Sequence, residues 1–194
     1  MIFELKEYNM ILPITVYGNP ILRKEAVEID ENYTGLSTLI SDMFETMYKS
    51  EGVGLAAPQI NKSIRVIVVD ATPFEEDDPS VKDFKKAIIN PEIIEFVGEK
   101  EAFNEGCLSL PGIREDVNRV TKIRILYQDE NFNEYDEVWE GIRARVIQHE
   151  YDHLEGKLFV DHISPIRKRM ISGKLNAIAK GKTVPNYRII KNKR

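Results

Sequence analysis

The chain has 194 residues, of which 42% are hydrophobic and 30% charged, a composition typical of soluble globular proteins that excludes a disordered chain. No run of about 18 apolar residues occurs, so we expect no transmembrane helix, and early charges such as Glu4 exclude a signal peptide. The single cysteine excludes an internal disulfide and suits the cytoplasm, the location we expect. The net charge of −5 is uneven, because residues 164–194 hold ten basic and no acidic residues, which leaves −15 on the first 163.

The hydrophobic pattern predicts helices near both ends of the chain, with strands and one further helix between them. Apolar residues three or four apart predict the first helix over 34–50, capped by Thr34 or Ser37. Asn90-Pro91 is expected to separate two strands, and the asparagines near 131–133 favour a hairpin turn. The strands are predicted over 64–71, 87–89, 93–97, 119–128 and 134–139, and the later helices over 141–155 and 165–180.

This order of elements predicts an α+β fold. We expect mostly antiparallel sheets packed around a central helix, with an amphipathic helix at the C-terminus. The length suits a single domain over 1–194, in which 164–194 form a basic C-terminal helix and tail.

The sharpest motif is the run from His149 to His153, which reads HEYDH. On a helix the two histidines lie one turn apart on one face, where both imidazoles can reach one cation. Glu150 follows the first histidine and can contact a metal-bound water without binding the metal itself. The alternative is two inert histidines on a partly buried helix face.

A catalytic metal needs a third protein ligand and an open position. Phe159 stands where a metzincin would have its third histidine, and His162 is off the required spacing. Cys107, the only cysteine, is the strongest remaining candidate, and its thiolate would favour a soft metal ion. The alternative for Cys107 is a small buried apolar side chain.

A segment of small residues, Gly52 to Gln59, lies between the first helix and the first long strand. It lacks the third glycine of a dinucleotide fingerprint and the Gly-Lys-Ser/Thr of a phosphate loop. Its small residues permit a close backbone approach by a ligand or by another strand. Gln59 carries a neutral amide donor that can stabilise an oxyanion.

Three segments together resemble one family. Residues 52–59 fit G-x-G-x-A-A-x-Q, residues 105–109 fit E-G-C-L-S, and residues 148–153 fit Q-H-E-x-D-H. In this order they are similar to the motifs of peptide deformylases, and the resemblance extends from about Met10 to Ile178. Residues 1–9 are then expected to be an N-terminal extension, or the result of an upstream start.

The resemblance implies a role for each motif residue. It assigns the metal to Cys107, His149 and His153, and the general acid and base to Glu150. Gln59 and the backbone N–H of Leu108 would face the developing oxyanion. An extended peptide would lie along strand edges, and its methionine would enter an apolar pocket. The substrate-binding candidates are Val53, Gly54, Gly106, Phe103, Arg114, Ile142 and Val146, of which Ile142 and Val146 have core packing, and Arg114 an exposed loop, as alternatives.

The activity implied is hydrolysis of the N-formyl group from the formyl-methionine of nascent polypeptides, with release of formate. The ligand set by itself favours zinc, whereas the resemblance implies one Fe(II) per chain, replaceable by zinc, nickel or cobalt. The competing hypothesis is an HExxH metallopeptidase that cleaves peptide bonds. A non-catalytic metal or redox module is a third, disfavoured because it needs neither Glu150 nor Gln59.

The basic segment over 164–194 indicates an anionic partner. The resemblance implies that this partner is the ribosome, near the exit of nascent chains. The alternative is a solvated helix face followed by a frayed tail. Neither a membrane nor DNA is expected as a partner.

Overall fold

The computed structural model describes residues 10–192, so the predicted extension over 1–9 lies outside the described residues. Each predicted helix and strand has a counterpart, and the structure adds three short strands that were not predicted, before residue 20, at 54–56 and after residue 188. The helices are α1 (Leu36–Lys49), α2 (Gly141–Leu154), α3 (Pro165–Met170) and α4 (Ser172–Ala179). The strands are β1 (Ile14–Thr15), β2 (Gly54–Ala56), β3 (Val66–Asp70), β4 (Lys85–Gly106), β5 (Arg114–Gln128), β6 (Glu134–Glu140) and β7 (Ile189–Ile190).

The main sheet is antiparallel throughout and has the strand order β2-β3-β4-β5-β6. A second sheet of two strands pairs β1 with β7 in parallel, which joins the two ends of the described chain. Helix α2 packs on the main sheet through fully buried residues such as Ala144, Ile147 and Leu154. The predicted α+β class, with mostly antiparallel sheets around a central helix, is confirmed.

The predicted break at Asn90-Pro91 is wrong, because β4 continues through it as a bulge. The pairing with β5 shifts register between Ile89 and Glu92. Asn90 adopts a φ of +48°, a conformation that asparagine tolerates better than most residues. Its side-chain amide donates to the carbonyl of Ile29 at 2.7 Å and so replaces ladder bonds lost at the bulge. The bent strand reaches Gly106, where it ends beside α2.

The N-terminal cap of α1 also differs from the prediction. The capping residue is Gly35, with φ +78°, and no side chain caps the helix there. The predicted apolar face is nevertheless formed, and Met43 and Met47 are fully buried against the main sheet. The start of the helix therefore depends on the backbone conformation of Gly35 and not on a capping side chain. The buried face follows the 3.6-residue period of the apolar residues, as predicted.

The predicted C-terminal helix over 165–180 is divided into α3 and α4 at Ile171. Ser172 and Gly173 follow the division, and both have lower helix propensity than most residues. Leu175 and Ile178 on α4 are buried, but Ile166 and Met170 on α3 are exposed. Within residues 10–192, none of the helices is long and apolar enough to span a membrane.

Candidate active site

Helix α2 carries the HEYDH motif and orients both histidines toward the end of β4. His149 and His153 are one turn apart, and their ring centroids lie 5.4 Å from each other. The helix forms here because its opposite face packs on the main sheet. The i and i+4 spacing therefore has the geometry that the sequence predicts for two ligands of one cation.

Cys107 lies directly after β4, in the turn that leads to β5. Its Sγ is 3.2 Å from Nε2 of His153, and the ligand atoms of Cys107, His149 and His153 all lie within 4.8 Å of one another. Metal–sulfur and metal–nitrogen bonds of ordinary length would separate such atoms by about 3.6 Å in a tetrahedral site. Cys107, which is remote from the two histidines in the sequence, therefore converges with them as a possible metal-binding site.

The chemistry of these three donors fits a metal ion. Although burial opposes ionisation of the Cys107 thiol, the adjacent imidazoles of His153 and His149 lower its pKa to about 5. A thiol with this pKa is a thiolate at neutral pH, which is the form that binds metals.

Glu105 orients His149, a role that its place in the sequence motif did not reveal. Its carboxylate accepts a hydrogen bond from Nδ1 of His149 at 2.8 Å, which leaves Nε2 of that ring for a metal. Arg119 donates to the same carboxylate from Nε at 2.7 Å and to Asp152 at 2.8 Å. Although burial opposes ionisation, the hydrogen bonds from His149 and Arg119 lower the pKa of Glu105 to about 2. Glu105 precedes Cys107 within one motif, and only the fold shows that it contacts a histidine.

Glu150 is buried beside the three ligands. One of its carboxylate oxygens, Oε2, has no hydrogen-bond partner within the described part of the chain. Burial raises the pKa of Glu150 to about 7, and a nearby cation would favour its ionised form. Gly54 is required at its position, because a Cβ there would clash with the Glu150 carboxylate. An unpartnered buried carboxylate of this kind can accept and return a proton near neutral pH.

Gln59 presents its amide nitrogen to the same site. Its carbonyl oxygen accepts from the N–H of Ala56 at 2.8 Å, which directs Nε2 toward Sγ of Cys107 at 3.5 Å and Oγ of Ser109 at 3.3 Å. Leu108 follows Cys107 in the turn. A hydrogen bond of 2.9 Å from the N–H of Leu110 to the carbonyl of Cys107 closes this turn. The structure therefore brings both predicted oxyanion donors beside the metal ligands.

A cavity of about 830 Å³ opens onto the predicted metal ligands Cys107 and His149. Of the predicted substrate-binding residues, all but Ile142 line it, namely Val53, Gly54, Gly106, Phe103, Arg114 and Val146. Ile142 instead packs against the core between α2 and the main sheet. Ile142 is partly buried one turn before the site, against the core cluster to which Val146 also belongs.

Arg145 is a wall residue that sequence reasoning missed. It donates to the carbonyls of Val117 at 2.9 Å and Glu101 at 2.6 Å, and its guanidinium lies 5.6 Å from the ring centroid of Phe103. Arg145 thus supports Phe103, while Arg114 is held to Asn104 by two bonds of 2.8 and 2.6 Å. An arginine on the apolar stripe of α2 carried no signal of this role in the sequence.

Comparison with known proteins identifies relatives across most of the chain. The profile of the polypeptide deformylase family matches residues 11–169. A peptide deformylase of Christiangramia forsetii is 49% identical over 187 residues, which cover 93% of this chain and 95% of the relative. The solved peptide deformylase of Thermus thermophilus is similar with a TM-score of 0.79 and 36% identity, over 89% of this chain and 100% of that one. That of Legionella pneumophila has a TM-score of 0.77 and 40% identity, over 89% and 97%.

These relatives agree with the geometry of the site. The predicted resemblance is confirmed, and it supports an amide hydrolase of the deformylase kind over the metallopeptidase alternative. The matched residues 11–169 include all three motifs that meet at the Cys107, His149 and His153 cluster. The chain therefore belongs to the peptide deformylase family.

Proposed function

We propose that this chain hydrolyses the N-formyl group of formyl-methionine at the start of nascent polypeptides and releases formate. The observation that carries this proposal is the convergence of the Cys107 thiolate with two α2 imidazoles beside the unpartnered carboxylate of Glu150. A solved relative from Acinetobacter baumannii, with 36% identity and a TM-score of 0.73, has Met-Ala-Ser bound. Met-Ala-Ser is the product expected from a formylated tripeptide.

Cys107, His149 and His153 would hold one metal ion. We propose Fe(II) as the native ion, with zinc, nickel or cobalt as substitutes, because one thiolate and two imidazoles suit all four. When bound, the ion would acidify the attacking water and polarise the formyl oxygen.

Glu150 and the two proposed oxyanion donors complete the chemistry. Glu150 would accept the proton of the attacking water and return it to the departing amine, which is otherwise a poor leaving group. Nε2 of Gln59 and the N–H of Leu108 would donate to the oxygen of the formyl group as its negative charge develops. The anchoring of Gln59 through the N–H of Ala56 prepares this donor before substrate binds.

The substrate would bind as an extended chain. Strand β2 is an edge of the main sheet, and β4 pairs with β3 only over residues 85–89. Gly54 and Gly106 thus lie on two strand segments whose free edges border the cavity, where backbone hydrogen bonds to a peptide can form. Val53, Phe103 and Val146 would form the methionine pocket, and Arg114 would contact the peptide backbone.

Formate release from formyl-Met-Ala-Ser tests the activity directly. With anaerobically prepared, Fe(II)-loaded protein, we expect formate and Met-Ala-Ser in equal amounts and no cleavage of Met-Ala-Ser-Lys. Cleavage of the second peptide without formate release from the first would favour the metallopeptidase instead.

We also propose that the ribosome is the partner of the basic C-terminal segment, which would place the enzyme in the cytoplasm where formylated chains emerge. Two of its basic residues already have partners within the chain, because Arg167 pairs with Glu115 at 2.7 Å and Lys168 with Asp161 at 2.8 Å. Arg169, Lys174 and Lys182 are exposed on α3, α4 and the turn after α4, and they contribute to the positive charge of this surface together with the exposed Lys180, Arg188 and Lys191. Long-range attraction to ribosomal RNA depends on such exposed charges and weakens with salt.

Charge reversal separates this attraction from folding, which truncation would disturb because Leu175 and Ile178 are buried. A triple change of Arg169, Lys174 and Lys182 to Glu should abolish salt-sensitive co-sedimentation with ribosomes. The control reverses three exposed lysines elsewhere, Lys62, Lys82 and Lys100, with the same change in net charge. Equal binding of both triple variants would contradict the ribosome proposal, whereas formate release should survive in each.

A further inference from the structure

The segment after α4 returns to the substrate cavity instead of leaving the domain. Residues 183–187 form part of the cavity wall, together with residues of β4, the turn at Cys107 and α2. The sequence indicated only a basic tail in this region. The segment lies beside the turn from Cys107 to Leu110, named here the catalytic turn, and can therefore affect the site.

The segment is anchored at both ends: before it, the N–H of Lys182 donates to the carbonyl of Ala177 in α4 at 2.9 Å. After Tyr187, strand β7 pairs with β1, and the N–H of Ile14 donates to the carbonyl of Arg188 at 2.8 Å. The side chain of Asn192 donates to the carbonyls of Tyr17 and Ala179, each at 3.0 Å. Gly18 allows this close approach, because a Cβ there would lie 2.8 Å from Cβ of Ala179. The anchored ends hold 183–187 against the cavity.

Tyr187 connects this segment to the catalytic turn. Its hydroxyl donates to the carbonyl of Leu108 at 2.7 Å, and its ring is partly buried against the α1 core. The bond from Leu110 to Cys107 fixes the peptide before Leu108, and the Tyr187 bond fixes the peptide after it. The N–H of Leu108 belongs to the first of these two peptides. The backbone of Leu108 is thereby restrained on both sides, on one of them by a residue 79 positions later in the chain.

Val184 lies at the outer end of the same wall. Its side chain is 88% exposed, whereas Gln59 and Glu150 at the inner end are only 1% and 5% exposed. A peptide whose formyl group lies at the inner end must leave the cavity through its mouth. The residues after methionine therefore lie toward the mouth of the cavity, where Val184 is one of the exposed lining residues.

We propose that residues 183–187 form a functional wall of the substrate cleft. In this wall Tyr187 is a positioning residue for Leu108, and Val184 contacts the second or third residue of an extended formyl-methionine peptide. This inference rests on the proposed deformylase activity. It adds to that activity Tyr187, which supports the proposed oxyanion donor Leu108, and Val184, which contacts the substrate beyond methionine. Through this wall, the segment between α4 and β7 contacts the active site.

The first test removes only the hydroxyl of Tyr187. In Tyr187→Phe we expect kcat for formyl-Met-Ala-Ser to fall by about 3- to 10-fold, the effect of one lost hydrogen bond, with little change in KM. The control is Tyr135→Phe, which loses a phenol hydrogen bond of 3.1 Å to Asp129 on the remote hairpin. Equal kcat values for both variants would overturn the positioning role, while absence of formate release by the wild type would instead contradict the proposed function.

The second test concerns substrate length. In Val184→Asp we expect the ratio of kcat/KM for formyl-Met-Ala-Ser to that for formyl-Met amide to fall by about 3- to 10-fold, because the charged side chain cannot replace the apolar contact. The control is Val27→Asp, the same change at another exposed valine, which does not line the cavity. An unchanged ratio in Val184→Asp would overturn the proposed contact beyond methionine.

Discussion

Glu150→Gln should lower kcat for a formyl-methionine peptide by about 10²- to 10⁴-fold, the usual contribution of a general acid–base group. The amide keeps the size of the side chain but can neither accept the proton of water nor protonate the leaving amine. Because Glu150 is not one of the three ligands, the variant should retain one metal per chain. The kinetics of formate release measure the fall in kcat, and metal analysis of the same sample measures the retained metal. We expect the same two results for Glu150→Ala.

Glu115→Gln is the matched control, because Glu115 is as buried as Glu150 but pairs with Arg167 outside the cavity. We expect this control to lose some stability and to keep its kcat within about twofold, since its ion pair partner is largely exposed. Near-normal turnover of Glu150→Gln would contradict the role we propose for Glu150. Loss of metal from Glu150→Gln would show that the Glu150 carboxylate also contributes to the metal site.

His153→Ala should remove both the metal and the activity. The variant leaves one thiolate and one imidazole, which is too few ligands to hold a catalytic ion against dilution. We expect metal content to fall below about one tenth of an ion per chain after dialysis, and formate release to become undetectable. Cobalt loading adds a spectroscopic readout, because thiolate ligation by Cys107 gives the wild type an absorption band that the variant should lack.

The chain provides its own control for this experiment in His162, the third of its three histidines. Nε2 of His162 donates to the Asp152 carboxylate at 2.7 Å, and His162 does not belong to the ligand cluster. His162→Ala should therefore keep its metal and most of its activity. Stoichiometric metal in His153→Ala would contradict the proposed ligand set.

Local sequence patterns predicted most of the secondary structure correctly because each depends on neighbours along the chain. The apolar period places α1 and α2 within two residues of their observed ends, and the alternating pattern predicts the hairpin of β5 and β6. The errors occur where distant contacts compete with local propensity. Asn90 keeps β4 continuous because its side chain bonds to Ile29 and Gln128, 61 and 38 positions away.

The motif residues of the site could be found in the sequence, because metal ligation and proton transfer restrict residue type and spacing. His149, Glu150 and His153 lie within one helical turn, so their common face follows from the period of the helix. Cys107 was the strongest candidate for the third ligand by elimination, and the resemblance supported it. Its placement beside the histidines is a tertiary contact, since no local rule brings the end of β4 to α2. Ile142 was also predicted at the pocket, where the structure shows core packing.

Residue identity and short-range periodicity were sufficient to predict the fold class, the family and the chemical groups of the site. The side chains that support those groups, such as Glu105 on His149 and Tyr187 on Leu108, were found from tertiary contacts alone. Such contacts join segments separated by 44 and 79 positions. Their geometry is set by how strands and helices pack, and a hydrogen bond between distant residues leaves no periodic trace in the chain.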